Sequence, residues 1–348
     1  MLSSILCTFL LATSIASTAL STKTTEDVQI LPIEQKSDFD FNDIKKGVIF
    51  TDENKINEYD TNNDYKKFSN EPIKVKKFGE YYYYDNSELK KGLLYCSEFS
   101  KREEIDKLTN KVKNQINSGE ICSKMINSPN VSIGSDWEEI SEVKVDSTLS
   151  EGTYHFGDFA EWQNFYYTKN NKSTYYLIVN QSFITPDTEY YGKYRTSNIK
   201  YNFNDNSSDF LLRDYGPKMR NPQTTISVGG SIGPSADSDG LHLNTDFSFS
   251  YEAIKNSPKI LDQGNMSKDQ VGINFRYEYP WANSGECFEY NINQTVQCTY
   301  YLIKEDNSNN TVAKALDNRI ITMVYDSKLQ WNNKVRDFSI DTYYTLDK

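Results

Sequence analysis

The chain has 348 residues, enough for one large β domain or two ordinary domains, each with a buried core. Its formal net charge of -11 excludes a phosphate-backbone partner, because nucleic-acid binders present a basic face. Aromatic residues make up 14%, with 26 tyrosines and 18 phenylalanines, and many stand in alternating or Thr-rich runs that favour strands, so the class leans to β.

The first residues, "MLSSILCTFLLATSIASTAL", join a short apolar run to small residues and predict a secretory signal peptide over 1–19, cut after Ala16 or Ala19. No later segment approaches a transmembrane helix. From Ser21 to about Asn86 the chain is rich in Asp, Asn and Lys and reads as loosely ordered, a pro-segment or a linker. Within it, Asp60, Asn62, Asp64 and Glu71 fall at calcium-loop positions, but Tyr65 stands where the loop's turn needs glycine and Pro72 interrupts the next helix, so no calcium site is expected. The stretch from Ser100 to Gly119 predicts a helix, with Ser100 and Glu103 as a capping box, Ile105, Leu108, Val112 and Ile116 as one apolar stripe, and Gly119 as the stop. Residues 20–140 therefore read as an accessory, partly helical N-terminal region.

Cys7 leaves with the signal, and the remaining Cys96, Cys122, Cys287 and Cys298 form an even set in an exported chain. Pairing Cys96 with Cys122 and Cys287 with Cys298 is the simplest of three connectivities. Without a CxxC, and with only His155 and His242, neither a metal nor another cofactor is expected. The two histidines have no nucleophile motif near them and the carboxylates form no recognisable pair, so an enzyme is not expected either. Glycosylation sequons begin at Asn130, Asn171, Asn180, Asn206, Asn265, Asn293 and Asn309.

Residues 141–348 change character. Strand-like runs such as "STYYLIVNQSF", "QVGINFRYEY" and "QTVQCTYYLI" alternate with Asn, Asp, Gly and Pro clusters, as in a β-sandwich. Inside this part lies "TTISVGGSIGPSADSDGLHLNTDFSFSYE", residues 224–252, which reads as a long hairpin with "PSADSDG" at its tip. Ile226, Val228, Ile232, Leu241, Leu243, Phe247, Phe249 and Tyr251 fall on one face. Thr225, Ser227, Gly229, Ser231, His242, Asn244, Asp246, Ser248 and Ser250 fall on the other. An arm of about ten residues, tilted, spans about 25 Å of hydrocarbon, so the first set suits lipid and the second a water-filled lumen. A single hairpin leaves edge N–H and C=O groups bare in lipid, which makes a barrel closed by several chains the expected form. The same alternation also suits a hairpin with one face on a sandwich core.

The order of these pieces resembles the leukocidin/hemolysin family of small β-barrel pore-forming toxins. "NNKSTYYLIVNQSFI" is similar to that family's cap strand before the stem, and "SNIKYNFNDNSSDFLLRDYGPKMRNPQTTISVGGSIG" to the run into it. "FSFSYEAIKNSPKILDQGNMSKDQVGINFRYEYPWANSG" resembles the stem exit, and "RIITMVYD" and "RDFSIDTYYTL" the closing strands. The resemblance implies a mainly β fold: a β-sandwich cap with a rim and a membrane-inserting hairpin stem, preceded here by the partly helical N-terminal region. It implies secretion, assembly on target-cell membrane lipids as a ring of identical or related subunits, and no enzymatic step. It also implies that Tyr279 and Trp281, in "YEYPWANSG", form a rim contact with the membrane. The alternative on the same fold is a non-lytic secreted lipid- or glycan-binding protein, since Asp246 and the acidic tip oppose passage through a bilayer.

Overall fold

The computed structural model describes residues 27–62, 71–122, 132–133, 137–169, 174–187, 194–205, 210–217, 231–237, 240–245, 259–276, 295–306, 312–327 and 333–347. The chain opens with β1 (Gln29–Pro32), β2 (Gly47–Thr51), α1 (Glu53–Thr61), β3 (Ile73–Asp85), β4 (Glu88–Ser97), α2 (Arg102–Ser118) and β5 (Ser132–Ile133). It continues with β6 (Glu138–Glu151), β7 (Tyr154–Lys169), β8 (Thr174–Pro186), β9 (Tyr194–Asp205) and β10 (Leu211–Gly216). Then come β11 (Ser231–Asp237), β12 (Gly240–Thr245), β13 (Lys259–Asp262), β14 (Gln270–Arg276), β15 (Val296–Asp306), β16 (Val312–Ser327) and β17 (Asn333–Asp347). The fold is mainly β.

Fourteen strands form one continuous sheet in the order β10-β15-β8-β7-β6-β4-β3-β17-β16-β9-β14-β13, with β2 on β3 and β1 on β2. The sheet folds over into a sandwich. Side chains of its two halves meet in one core, where Phe203 stacks on Tyr300 at 4.3 Å and Phe156 packs on Phe338 at 5.6 Å. The outermost strands also meet: Asp269 Oδ1 accepts from Leu212 N at 2.7 Å, tying β10 to the turn before β14. Strand β8, "TYYLIVNQSFITP", is buried at almost every position, as a strand covered on both faces must be, and its β-branched and aromatic residues suit that site.

The segment from Ser21 to Asn86, expected to be loosely ordered, instead contributes β1, β2, α1 and β3. The polar average of that window conceals short apolar runs, "GVIFT" and "KKFGEYYYYD", whose side chains are buried. Strand β3 lies between β17 and β4, and β4 runs parallel to β6, so these strands share hydrogen-bonded ladders with the sandwich. On the outer face of β3 and β4, helix α2 lays Ile105, Leu108, Val112 and Ile116 over Phe78, Tyr81, Tyr83 and Leu94. The Tyr81 ring crosses directly over Gly92, where a Cβ would meet its Cζ at 1.9 Å, so only glycine fits opposite it.

The helix has the expected stripe and ends at Gly119, which is left-handed at φ 75°. Its start differs. The first turn begins at Arg102, and Ser100 does not cap it: Ser100 Oγ lies 2.7 Å from Ser150 Oγ, inside the protein. Asp60, at the end of α1, takes over by accepting from Arg102 N at 3.0 Å, favourable for a carboxylate at a helix N-terminus.

The disulfide expectation is corrected. Cys96 and Cys298 are free, buried thiols. Cys96 sits just before α2 and Cys122 just after it, and a 17-residue helix is about 25 Å long, whereas bridged Cα atoms must lie within about 7 Å. Cys298 stands in the sandwich core opposite Ser182. Burial pushes both thiols well above the ordinary range. The side chains of Cys122 and Cys287 lie outside the described residues. Among the sequons, Asn180 is fully buried in β8 and cannot be a glycan acceptor, while Asn265 is exposed in a turn. The others lie outside the described residues.

Candidate membrane-inserting hairpin

Strands β11 and β12 pair antiparallel, with Ile232 opposite Thr245, Gly233 opposite Asn244, Pro234 opposite Leu243, Ser235 opposite His242, Ala236 opposite Leu241 and Asp237 opposite Gly240. Of the residues assigned to the two faces from sequence, Ser231, Ile232, Leu241, His242, Leu243 and Asn244 lie within these paired strands. The tip is shorter than the sequence suggests. Pairing continues through Pro234–Asp237, so only Ser238 and Asp239 remain between the arms instead of all of "PSADSDG".

The hairpin stands apart from the fourteen-stranded sheet. Among the described residues its one further strand partner is β5, which completes a separate three-stranded sheet by running parallel to β11, with Ser132 beside Ser231 and Ile133 beside Ile232. Thr225, Ile226, Ser227, Val228 and Gly229, and Asp246, Phe247, Ser248, Phe249, Ser250 and Tyr251, lie outside the described residues. So do the rim residues Tyr279 and Trp281.

The roots of the hairpin are well defined. It leaves the sandwich after β10 and returns at β13, and Tyr215 Oη on β10 donates to Asp262 Oδ1 on β13 at 2.5 Å. The same carboxylate accepts from Gly264 N at 3.0 Å. A Cβ on Gly264 would lie 2.2 Å from Tyr215 Oη, so this glycine admits the phenol that clips the roots together. Strands β10 and β13, which flank residues 218–258 in sequence, are therefore joined at one corner of the sandwich.

His155 is built into a different contact. Its Nδ1 lies 3.3 Å from Glu104 Oε2 and 3.1 Å from Thr148 Oγ1, and its Nε2 lies 3.4 Å from Asp158 Oδ1. Lys111 Nζ reaches Asp158 at 2.6 Å. The ring thus clips α2 to the β6–β7 hairpin. Among the described residues no group of three or more His, Cys, Asp or Glu could hold a metal ion, and no helix is long and apolar enough to cross a membrane.

Sequence reasoning missed the polar centre of the sandwich. Glu161 on β7 and Arg319 on β16 are both fully buried and meet across the core, with Arg319 Nε 2.7 Å from Glu161 Oε2 and Nη2 2.6 Å from Oε1. Ser182 Oγ and Gln163 Nε2 each donate to Glu161 at 2.5 Å, and Arg319 Nη1 donates to Thr342 Oγ1 at 2.5 Å. The available signal was Glu161 within "FAEWQNF", a charge set among aromatic residues.

No protein-family model and no curated protein matches the chain. Solved structures do. Clostridium perfringens delta-toxin is 12% identical over 62% of this chain and 95% of its own, with a TM-score of 0.35. A structure described as a pore forming protein is 11% identical over 63% of this chain and 94% of its own, with a TM-score of 0.32. The membrane-inserted form of the Clostridium perfringens NetB toxin is 12% identical over 59% of this chain and 94% of its own, with a TM-score of 0.25.

Proposed function

We propose that the protein is a secreted pore-forming cytolysin that assembles on a target-cell membrane and inserts one hairpin per subunit into a shared barrel. The observation that carries this reading is the clip between β10 and β13, which joins the two ends of a 41-residue segment, 218–258, at one corner, while β11 and β12 within it pair outside the main sheet. Half of it, fully extended at about 3.3 Å per residue, reaches roughly 65 Å, enough to clear the sandwich and still cross about 25 Å of hydrocarbon at a tilt. The alternation supplies one apolar and one polar face, which a closed barrel needs. A soluble chain stores such a hairpin only while its apolar face is covered.

The test is dye release from liposomes by the secreted chain and by a Ser132→Cys/Ser231→Cys variant, whose new cysteines stand in register where β5 pairs with β11. Wild type leaks dye. The oxidised variant, its hairpin pinned, is silent and recovers on reduction. No leakage by wild type across lipid compositions refutes the reading, and equal leakage by the oxidised and reduced variant refutes the role of the hairpin.

A further inference from the structure

On the face of β3 turned away from α2, three lysines close around one carboxylate. Glu80 is 3% exposed. Its Oε1 receives Lys36 and, at 3.3 Å, Tyr82 Oη, while its Oε2 faces Lys77 Nζ at 3.0 Å and Lys91 Nζ at 3.6 Å. Among the described residues, the ion pairs these lysines make end on Glu80. Their side chains remain 34%, 36% and 41% exposed, so the cluster is open to solvent on one side.

This is more cation than the carboxylate needs. One lysine neutralises Glu80, and each further one adds like-charge repulsion and desolvation. The excess is visible at Lys91, whose ammonium is held below its ordinary value by burial and then by Lys77 and Lys36, against the pull of Glu80. A cluster of net charge +2 is unlike the rest of a chain of net charge -11. The lysines are also held in place. Lys36 Nζ stands 5.3 Å from the Tyr82 ring centre, Phe41 packs edge-on to that ring at 4.7 Å, and Lys77 pairs with Tyr95 beside the bulge at Phe78.

We propose that Lys36, Lys77 and Lys91, organised by Glu80 and Tyr82, bind a phosphate group, either free or on a lipid headgroup, that bridges the three ammonium groups. A tetrahedral oxyanion offers acceptors to several ammonium groups at once and cancels the excess charge. The site stands whether or not the hairpin inserts, because it uses only β3, β4 and the turn after β1.

The experiment is calorimetric titration of the full chain with inorganic phosphate, and co-sedimentation with phosphatidylcholine vesicles with and without phosphatidic acid. Wild type binds phosphate saturably, and affinity falls as salt rises. Lys36→Gln/Lys91→Gln, which leaves Lys77 to pair with Glu80, weakens binding by about tenfold or more per lysine removed. Lys91→Arg retains binding, as does Lys107→Gln on the far face of α2. Capture by phosphatidic-acid vesicles that free phosphate displaces identifies a headgroup ligand. Phosphate binding without vesicle capture identifies the free ion. Absence of saturable phosphate binding by wild type overturns the proposal, as does unchanged affinity in the folded double variant or loss of binding in Lys107→Gln.

Discussion

Replacing Arg319 by methionine tests how the sandwich is held at its centre. The guanidinium is fully buried and gives Glu161 two hydrogen bonds, at 2.7 and 2.6 Å, from the opposite half of the sheet. Arg319→Met leaves the Glu161 carboxylate in the core with only Ser182 and Gln163 as donors. Stranding one member of a buried pair costs about 3–5 kcal/mol. At about 2.1 cal/mol/K per residue, a chain of this length unfolds with an entropy of roughly 0.7 kcal/mol/K, so the loss lowers Tm by about 4–7 °C. Arg319→Met/Glu161→Leu removes both charges and returns most of the stability, since an apolar replacement of a buried pair is commonly neutral or better. Urea unfolding at unchanged m-value, together with calorimetry, measures all three variants against wild type. A single-variant cost below about 1 kcal/mol, or a double variant as unstable as the two singles added, refutes the reasoning.

Glu80 gives a pH prediction. Burial raises its carboxyl, but hydrogen bonds from Lys36 and Lys77 and the charges of Lys77 and Lys91 overcome this and hold it at about 2, below the ordinary 4.5. A depressed folded value contributes stability above the unfolded value that is lost as pH falls through the folded one. Wild type is therefore expected to lose stability relative to Glu80→Gln between about pH 4.5 and 2, and parallel urea titrations across that window contradict the argument if the gap stays constant. For the cysteines, alkylation of native chain followed by peptide mapping is expected to leave Cys96 and Cys298 unlabelled, with both labelled after denaturation without reductant. Recovery of either residue in a disulfide-linked peptide contradicts the structure.

Much of the β part was legible because its signals are local. "STYYLIVNQSF" and "QVGINFRYEY" carry their strand character in consecutive β-branched and aromatic residues, and the stripe from Ile105 to Ile116 announced a helix by its spacing alone. What escaped depends on partners distant in sequence. Ser100 looked like a cap, yet Ser150 claims its hydroxyl and Asp60 takes the helix start. Spacing suggested that Cys96 and Cys122 could pair, but α2 holds their backbones apart along its length. The hairpin's alternation was plain from sequence; its clip, Tyr215 to Asp262, joins residues 47 apart and left no periodic trace. Glu161 and Arg319 are 158 apart, and only the folded-over sheet brings them together.

The place of β3 and β4 bears on any model in which the N-terminal region is shed. Strand β4 pairs with β6 from Lys91 opposite Val143 to Cys96 opposite Thr148, and β3 pairs with β17 from Ile73 opposite Phe338 to Val75 opposite Ile340. Removing both strands leaves β6 and β17 as bare edges with unpaired N–H and C=O groups, which invite pairing with other chains. It also strips the Tyr81 phenol from Asp146 Oδ2, a 2.5 Å bond, leaving that carboxylate to Lys144, 3.1 Å away. Val75 and Tyr95 would leave the sandwich core as well. The parts of residues 20–140 that can be lost without opening the sheet therefore lie outside 73–97. Proteolysis of the folded chain should spare that hairpin while the sandwich survives.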